Sequence, residues 1–467
     1  MTSSFDRRIV LLVVTMTSFL TPFSSSSFNV ALPSLSRELG LDAIMMSWAS
    51  LAYLLASAML LVPFGRLADI HGRKKMFLFG TIAFTLASLL LGFYPSASLI
   101  IWLRALQGIA SAMIFGTGIA ILVSVTPPQE KGATLGVNAA AVYVGLSIGP
   151  FLGGMLTENF GWRSIFFVSA VIGATAATLM FSKLKGEWKE AAGEGFDLWG
   201  SIVYSLMLLS LMYGFSLLPS AESFLPIALG LCCIGVFLLV ESRAKHPVVD
   251  LRLFVENRAF TFGNLAALIN FSSTYAVTFL ISFYLQYLKG LSPQMAGTIL
   301  IASPVVQAIF APISGKLSDR VEPRRISAAG MVVTSLGLAA FTLIDGGTSI
   351  FIIIGSLSLL GFGLALFSSP NTNTIMSSVE RRLYGIASST LGTMRLLGQM
   401  LSQGITMIIF AIYIGRLEIQ PEVYPQLLNS TKIAFTIFFV LNLAGIAASL
   451  VDGNKPKLGR SDLATRS

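Results

Sequence analysis

Long apolar runs, broken at intervals by short clusters of charge, glycine and proline, set the pattern of this 467-residue chain. About 20 consecutive apolar residues are what a helix needs to cross the hydrocarbon core of a bilayer. Fourteen such runs can be marked, starting near Ile9, Met46, Met76, Leu99, Thr134, Ser164, Leu198, Phe224, Phe260, Met295, Ile326, Ser349, Gly385 and Ile433. The fourth and fifth are parted only by the Thr126–Lys131 turn, where Pro127 and Pro128 stop a helix. The first opens with MTSSFDRRIV and stays apolar to Ala31, too long for a signal-peptide core and without a small-residue cleavage site, so it reads as a span. The pattern predicts an all-α polytopic membrane protein with fourteen transmembrane helices.

Composition agrees. Only 11% of residues are charged and 54% are hydrophobic, with a mean hydropathy of +0.79, whereas a soluble domain carries about 25% charge. The net charge of +9 calls for no nucleic-acid partner, because basic residues collect in cytoplasmic loops and set orientation. With both termini cytoplasmic, 24 of the 31 Lys and Arg fall on the inner side and five (Arg37, Arg163, Lys289, Arg416, Lys432) on the outer. Arg104 and Arg395 remain inside spans. An odd number of spans would put basic loops outside. Cys232 and Cys233 are adjacent within an apolar run, where helix geometry points them apart, and His71 and His246 lie far from each other. No metal or other cofactor is expected, and no G-x-x-x-x-G-K-[ST] loop is present for ATP. The partners expected are a small-molecule substrate, protons and the lipid bilayer, for a chain acting as a monomer in the plasma membrane.

The chain repeats itself. GRLADIHGRKK (65–75) and GKLSDRVEPRR (315–325) share G-x-L-x-D followed by basic residues. Six helices with their loops occupy roughly 180–190 residues, so the longer spacing leaves room for two extra spans at about 198–241. The division expected is an N-terminal six-helix bundle (1–182), inserted helices 7 and 8 with their connectors (183–258), a C-terminal six-helix bundle (259–450) and a tail (451–467). Two parallel bundles related by an axis along the membrane normal form a transporter architecture, with the substrate between them near the midplane.

Further motifs follow in order: LRALQGIASA (103–112), GLSIGPFLGG (145–154), GWRSIFFVS (161–169), ESRAKHPVVDLRLF (241–254) and FYLQYLKGLSPQMAG (283–297). Together with GRLADIHGRKK they resemble the signatures of the major facilitator superfamily, and within it the fourteen-span drug:proton antiporter family of QacA-type and EmrB-type exporters. The resemblance runs from about residue 8 to 450. It implies the major facilitator fold and proton-driven efflux of drugs or other toxic molecules by alternating access. The residues of 65–75 read as a conformational latch, in which Gly65 and Gly72 permit a tight turn, Asp69 is the acceptor and Arg73 a basic partner, with Gly315 and Asp319 as counterparts in the second half; the other reading is a positively charged anchoring loop with no switching role. Gly145, Gly149 and Gly153, with Pro150 and Gly154 adjoining, are the helix 5 signature of exporters. Small residues four apart let helix backbones approach closely, whether for plain packing or to set a rocking geometry.

One departure changes the chemistry. Many relatives of this kind carry an aspartate in helix 1, in a pattern like LDxTIVNVALP, but this chain reads FSSSSFNVALP with Ser24 at that place. None of the 22 acidic residues falls near the centre of a span. The expected cavity is therefore neutral and polar around two arginines, with Asn29, Arg104, Gln107, Asn138, Tyr143, Asn270, Gln307 and Arg395 as candidate substrate-binding residues. Intramembrane ionisable groups are functional or satisfied by partners; buried amides and hydroxyls bond to one another, to water or to a ligand. Such a set suits an amphipathic neutral or anionic compound. Two other readings stand beside drug efflux: an exporter or facilitator of an endogenous anionic or neutral metabolite without proton coupling, and a non-transporting membrane sensor. The 34 Phe read mostly as lipid-facing filler, and 415–431 as the longest outer loop.

Overall fold

A computed structural model of the chain describes residues 4–93, 96–127, 130–183, 186–189, 195–243, 251–318, 320–380 and 384–451. Asp319 and the tail after 451 lie outside the described residues. Among the described residues, fourteen spans are long and apolar enough to cross a membrane. They are α1 (Ser4–Leu39), α2 (Ala43–His71), α3 (Arg73–Phe93), α4 (Ala97–Val125), α5 (Lys131–Phe160), α6 (Arg163–Lys183) and α7 (Leu198–Ser216). There follow α8 (Phe224–Arg243), α9 (Arg258–Leu288), α10 (Pro293–Leu317), α11 (Pro323–Thr342), α12 (Ile350–Ser377), α13 (Tyr384–Tyr413) and α14 (Tyr424–Leu450).

Local chemistry fixes the starts. Asp42 accepts from Met45 N at 2.7 Å and Asn257 from Phe260 N at 3.0 Å, each satisfying a donor that the first turn leaves without a helical partner. At α10 a Ser292 cap precedes Pro293, whose fixed φ suits the first helical position. The last span begins at Tyr424, nine residues before the start at Ile433 that the apolar run suggests, because Val423 and Leu427 bury themselves in the core. The stretch 415–431 is thus largely helical rather than a loop. Its Asn429-Ser-Thr sequence sits on a helix with Ser430 and Thr431 fully buried.

Helices α1 to α6 pack chiefly on one another, as do α9 to α14. The inserted α7 and α8 pack as a pair, with α7 reaching both α2 and α13. Pro63 in α2 has no N–H, so the carbonyl of Met59, four residues back, loses its helical donor. Ser205 Oγ of α7 donates to that carbonyl at 3.3 Å, and Tyr204 Oη to Ala58 O at 3.3 Å. The inserted helix mends a break in α2.

The core corrects the reading of phenylalanine as filler for the lipid face. Phe23, Phe28, Phe77, Phe84, Phe166, Phe260, Phe279, Phe283, Phe341 and Phe367 are among the largest fully buried side chains. The largest apolar cluster draws on both bundles: Phe28, Leu32 and Leu35 of α1 lie in it with Phe279, Phe283, Phe410 and Phe435.

Candidate functional site

The bundles are closed against each other at the face opposite the termini. Pro33 in α1 frees the carbonyl of Asn29, and Ser282 Oγ of α9 donates to it across the seam at 3.2 Å. Gln286 Nε2 donates to Val30 O at 2.9 Å, Arg37 to Gln286 O at 3.3 Å, and Gln294 N to Glu158 at 3.0 Å. Ala43 N donates to Leu417 O at 3.2 Å. These contacts lie beyond the Ser25–Tyr275 pair, whose hydroxyls meet across the seam at 2.8 Å.

The glycine signature of α5 builds this closure in two layers. Gly145, Gly149 and Gly153 face α1 of the same bundle: a Cβ on Gly145 would lie 2.5 Å from Phe19 O, one on Gly153 would lie 2.5 Å from Ser27 Cβ, and one on Gly149 would collide with Ser26 Oγ. Pro150 and Gly154 face the other bundle, where the Pro150 carbonyl meets Gly297 and Gly154 meets the Pro293 carbonyl. The first three glycines set the α1–α5 spacing and the last two the contact with α10. Gly149→Ala is expected to lose about 1–3 kcal/mol by overpacking, and Ser26→Ala in the same chain to recover part of it. Thermal unfolding of the two variants in detergent checks this; equal melting points for single and double variants would refute it.

Arg104 is wholly buried, with no ion pair to a carboxylate among the described residues. Its Nε donates to Ala49 O at 3.2 Å and NH1 to Gln107 Oε1 at 2.9 Å, while Gln107 Nε2 passes on to Ser88 Oγ at 2.8 Å. The guanidinium lies 4.4 Å from the ring centre of Phe28 and 4.5 Å from that of Tyr53. Cation–π contact of this kind gains strength when desolvated. Tyr53 is held in turn by Ser111 at 2.8 Å. Nearby, Asn29 Oδ1 accepts from Ser50 Oγ at 3.1 Å. Of the candidate residues, Asn29, Arg104 and Gln107 thus belong to hydrogen-bonded packing among α1 to α4. The aromatic partners Phe28 and Tyr53 were missed by the sequence reading.

A second group forms where α5, α9, α12 and α13 converge. Arg395 is half-buried. One terminal nitrogen donates to Thr372 Oγ1 at 2.8 Å, and its guanidinium stands 5.7 Å from the ring centre of Phe271. Its Nε is buried with no hydrogen-bond partner. Tyr143 of the opposite bundle lies close enough to interact electrostatically with Arg395. Thr372 and Phe271 join this group without having been singled out in the sequence, where nothing sets them apart from the other Thr and Phe of the spans. Asn270 is fully buried with neither amide atom bonded, Asn138 is buried with its Oδ1 unbonded, Ser24 is buried with a free hydroxyl, and Gln307 is half-buried on α10. No described contact brings these four to the Arg395 group.

At the termini face, Arg73 Nε donates to Asp69 at 2.6 Å and its NH1 to Ser124 Oγ at 3.0 Å. Gly65 packs against Gly116 of α4, whose added Cβ would lie 3.2 Å from Gly65 N. The second half repeats the arrangement, with Gly315 of α10 facing Ser369 of α12. The counterpart acid, Asp319, lies outside the described residues. Gly72 closes α2 with φ +129°.

Two six-helix bundles meeting around a polar seam, closed against each other at one face, are the architecture of a membrane transporter. The chain belongs to the Major Facilitator Superfamily, whose profile matches residues 14–403. It is 30% identical over 390 residues to the riboflavin transporter RibZ of Clostridioides difficile (strain 630), covering 83% of this chain and 84% of that one. To the cephamycin export protein CmcT of Amycolatopsis lactamdurans it is 32% identical over 408 residues, covering 85% and 84%. A relative named as an export protein agrees with the exporter resemblance carried by 145–154. Among solved structures, a bacterial homologue of the human lysosomal transporter Spinster, described as inward-facing and unoccupied, superposes with a TM-score of 0.67 at 16% identity over 96% of this chain and 97% of that one, a likeness of fold.

Proposed function

We propose that the chain is a secondary active exporter of the cell membrane that moves amphipathic, neutral or anionic organic molecules outward, with both termini in the cytoplasm. The observation that carries the reading is Arg395: a half-buried cation at the junction of the bundles, with a spare buried donor, in spans that hold no central carboxylate. A charge-assisted hydrogen bond to an anionic or carbonyl group would satisfy Nε, while Phe271 and Tyr143 offer ring faces to an apolar body. Relatives named for riboflavin and cephamycin support an organic solute rather than an inorganic ion. The segments 1–182 and 259–450 act as the rocking halves of a single copy, and the basic bias of the loops supports the orientation.

The driving force is the proton gradient, as in the antiporters the chain resembles. The proton then falls to carboxylates at span ends, such as Asp69 or Glu158, in place of the helix 1 acid replaced by Ser24.

Uptake of labelled compounds into inverted vesicles tests the reading. Organic acids and neutral amphiphiles are expected to accumulate in preference to quaternary ammonium dyes. Arg395→Gln should cut transport of the anions about 10- to 100-fold, the worth of one hydrogen bond to a charged group, with Arg395→Lys between. Preference for the cationic dyes would reject the substrate class. Accumulation that ignores an imposed pH gradient would reject the coupling and leave a facilitator.

A further inference from the structure

In the connector between the first bundle and the inserted helices, Glu187 and Trp188 dock on the 65–75 turn. The Oε1 of Glu187 accepts from Lys74 N at 2.7 Å and Oε2 from Lys75 N at 3.2 Å. The backbone continues the contact: Arg73 N donates to Trp188 O at 3.0 Å, and Trp188 packs against the apolar cluster that holds Phe77 and Phe84 of α3. Three backbone donors in the first turn of α3 are thereby satisfied by a segment more than a hundred residues away in sequence. The first N–H groups of a helix lack intrahelical acceptors, and a carboxylate there also meets the positive end of the helix dipole.

Two features show that the turn is shaped for this carboxylate. Gly72 has φ +129°, and a Cβ on it would lie 2.5 Å from Glu187 Cδ and 2.8 Å from Cγ. The glycine therefore gives Glu187 its seat as well as making the turn. Asp69, the acid within the turn itself, has its Oδ1 engaged by the Arg73 Nε. The labour is divided: Glu187 takes the main-chain donors and Asp69 takes a side chain.

We infer that Glu187 is a positioning residue of the transport cycle, holding the 65–75 turn so that Asp69 and Arg73 present the geometry with which the latch engages when the termini face closes. It acts through Asp69 and touches no substrate. The inference rests on the transporter reading but on no choice of substrate or coupling ion.

Glu187→Ala and Glu187→Gln in the full chain test it, alone and with Asp69→Asn, by two readouts. The first is the distance distribution between spin labels at the termini-face ends of α4 and α12, which needs no substrate. Glu187→Ala is expected to shift the open-to-closed ratio about tenfold toward the termini-open form, in the range of a lost cap, and Glu187→Gln, which keeps one acceptor oxygen, less. The second is vesicle transport of whichever compound the wild type carries, where turnover should fall with KM within about twofold. In an Asp69→Asn chain, Glu187→Ala should add nothing, because both act through one element. An unshifted distribution with normal turnover would overturn the inference. So would a loss that adds in full to that of Asp69→Asn, or one seen only as lower thermal stability. If no compound is transported, the label distances still decide the matter for Glu187, and only the functional proposal falls.

Discussion

Gly297→Val is expected to keep the bundles apart at the face opposite the termini and to reduce transport about 100-fold. Gly297 sits against the carbonyl of Pro150, so a side chain there must displace backbone, not a rotamer. Overpacking costs about 1–3 kcal/mol when neighbours can yield; here a main-chain carbonyl from the facing bundle is the obstacle, and the whole cost falls on the closed state. Each 1.4 kcal/mol moves a two-state ratio about tenfold. A cysteine pair at Asn159 and Gln294, whose side chains meet at 3.5 Å, reports the closure. In a chain with Cys232 and Cys233 replaced by serine, the pair should cross-link readily with Gly297 and slowly with valine, with Gly297→Ala between. Cross-linking at an equal rate in all three would show that the seam tolerates a side chain.

Arg104→Ala should be the most damaging of the arginine variants to stability, at about 3–5 kcal/mol, the range for removing a large buried side chain from a packed site. The loss would strip two rings of their cation, leave Gln107 Oε1 without its donor and open a void between α2 and α4. Lysine should restore little, since an ammonium cannot stack flat between Phe28 and Tyr53 while also reaching Ala49 O. Thermal unfolding in detergent separates Arg104 from Arg395: the first should lower the melting temperature sharply, and Arg395→Gln should leave it nearly unchanged while transport falls. A wild-type melting temperature for Arg104→Ala would mean that the site closes over the loss.

Span number and most span starts were legible because a bilayer imposes one strong length rule on every helix. The exception at Tyr424 is instructive, since Glu422, Pro425, Gln426 and Asn429 break the apolar run although Val423 and Leu427 are anchored in the core. Charge inside a span pointed to Arg104 and Arg395, but could not say that one lies in a closed aromatic sandwich and the other at a junction of four spans. That distinction depends on the azimuth of each helix against its neighbours, which composition does not carry. Glu187 was hidden for a different reason. A carboxylate that caps a helix from its own turn leaves a short-range signature, and one that arrives from a distant connector leaves none.

The repair of α2 by α7 has a consequence for the history of the chain. Removing 183–258 would not return a working twelve-span carrier, because Met59 O would be left without the hydroxyl of Ser205 at membrane depth, where an unpaired backbone group costs several kcal/mol. While Pro63 stays in α2, the extra pair of helices cannot be shed by a simple deletion. The insertion and the proline hold each other in place, as a ratchet that lets a lineage gain two spans more easily than lose them.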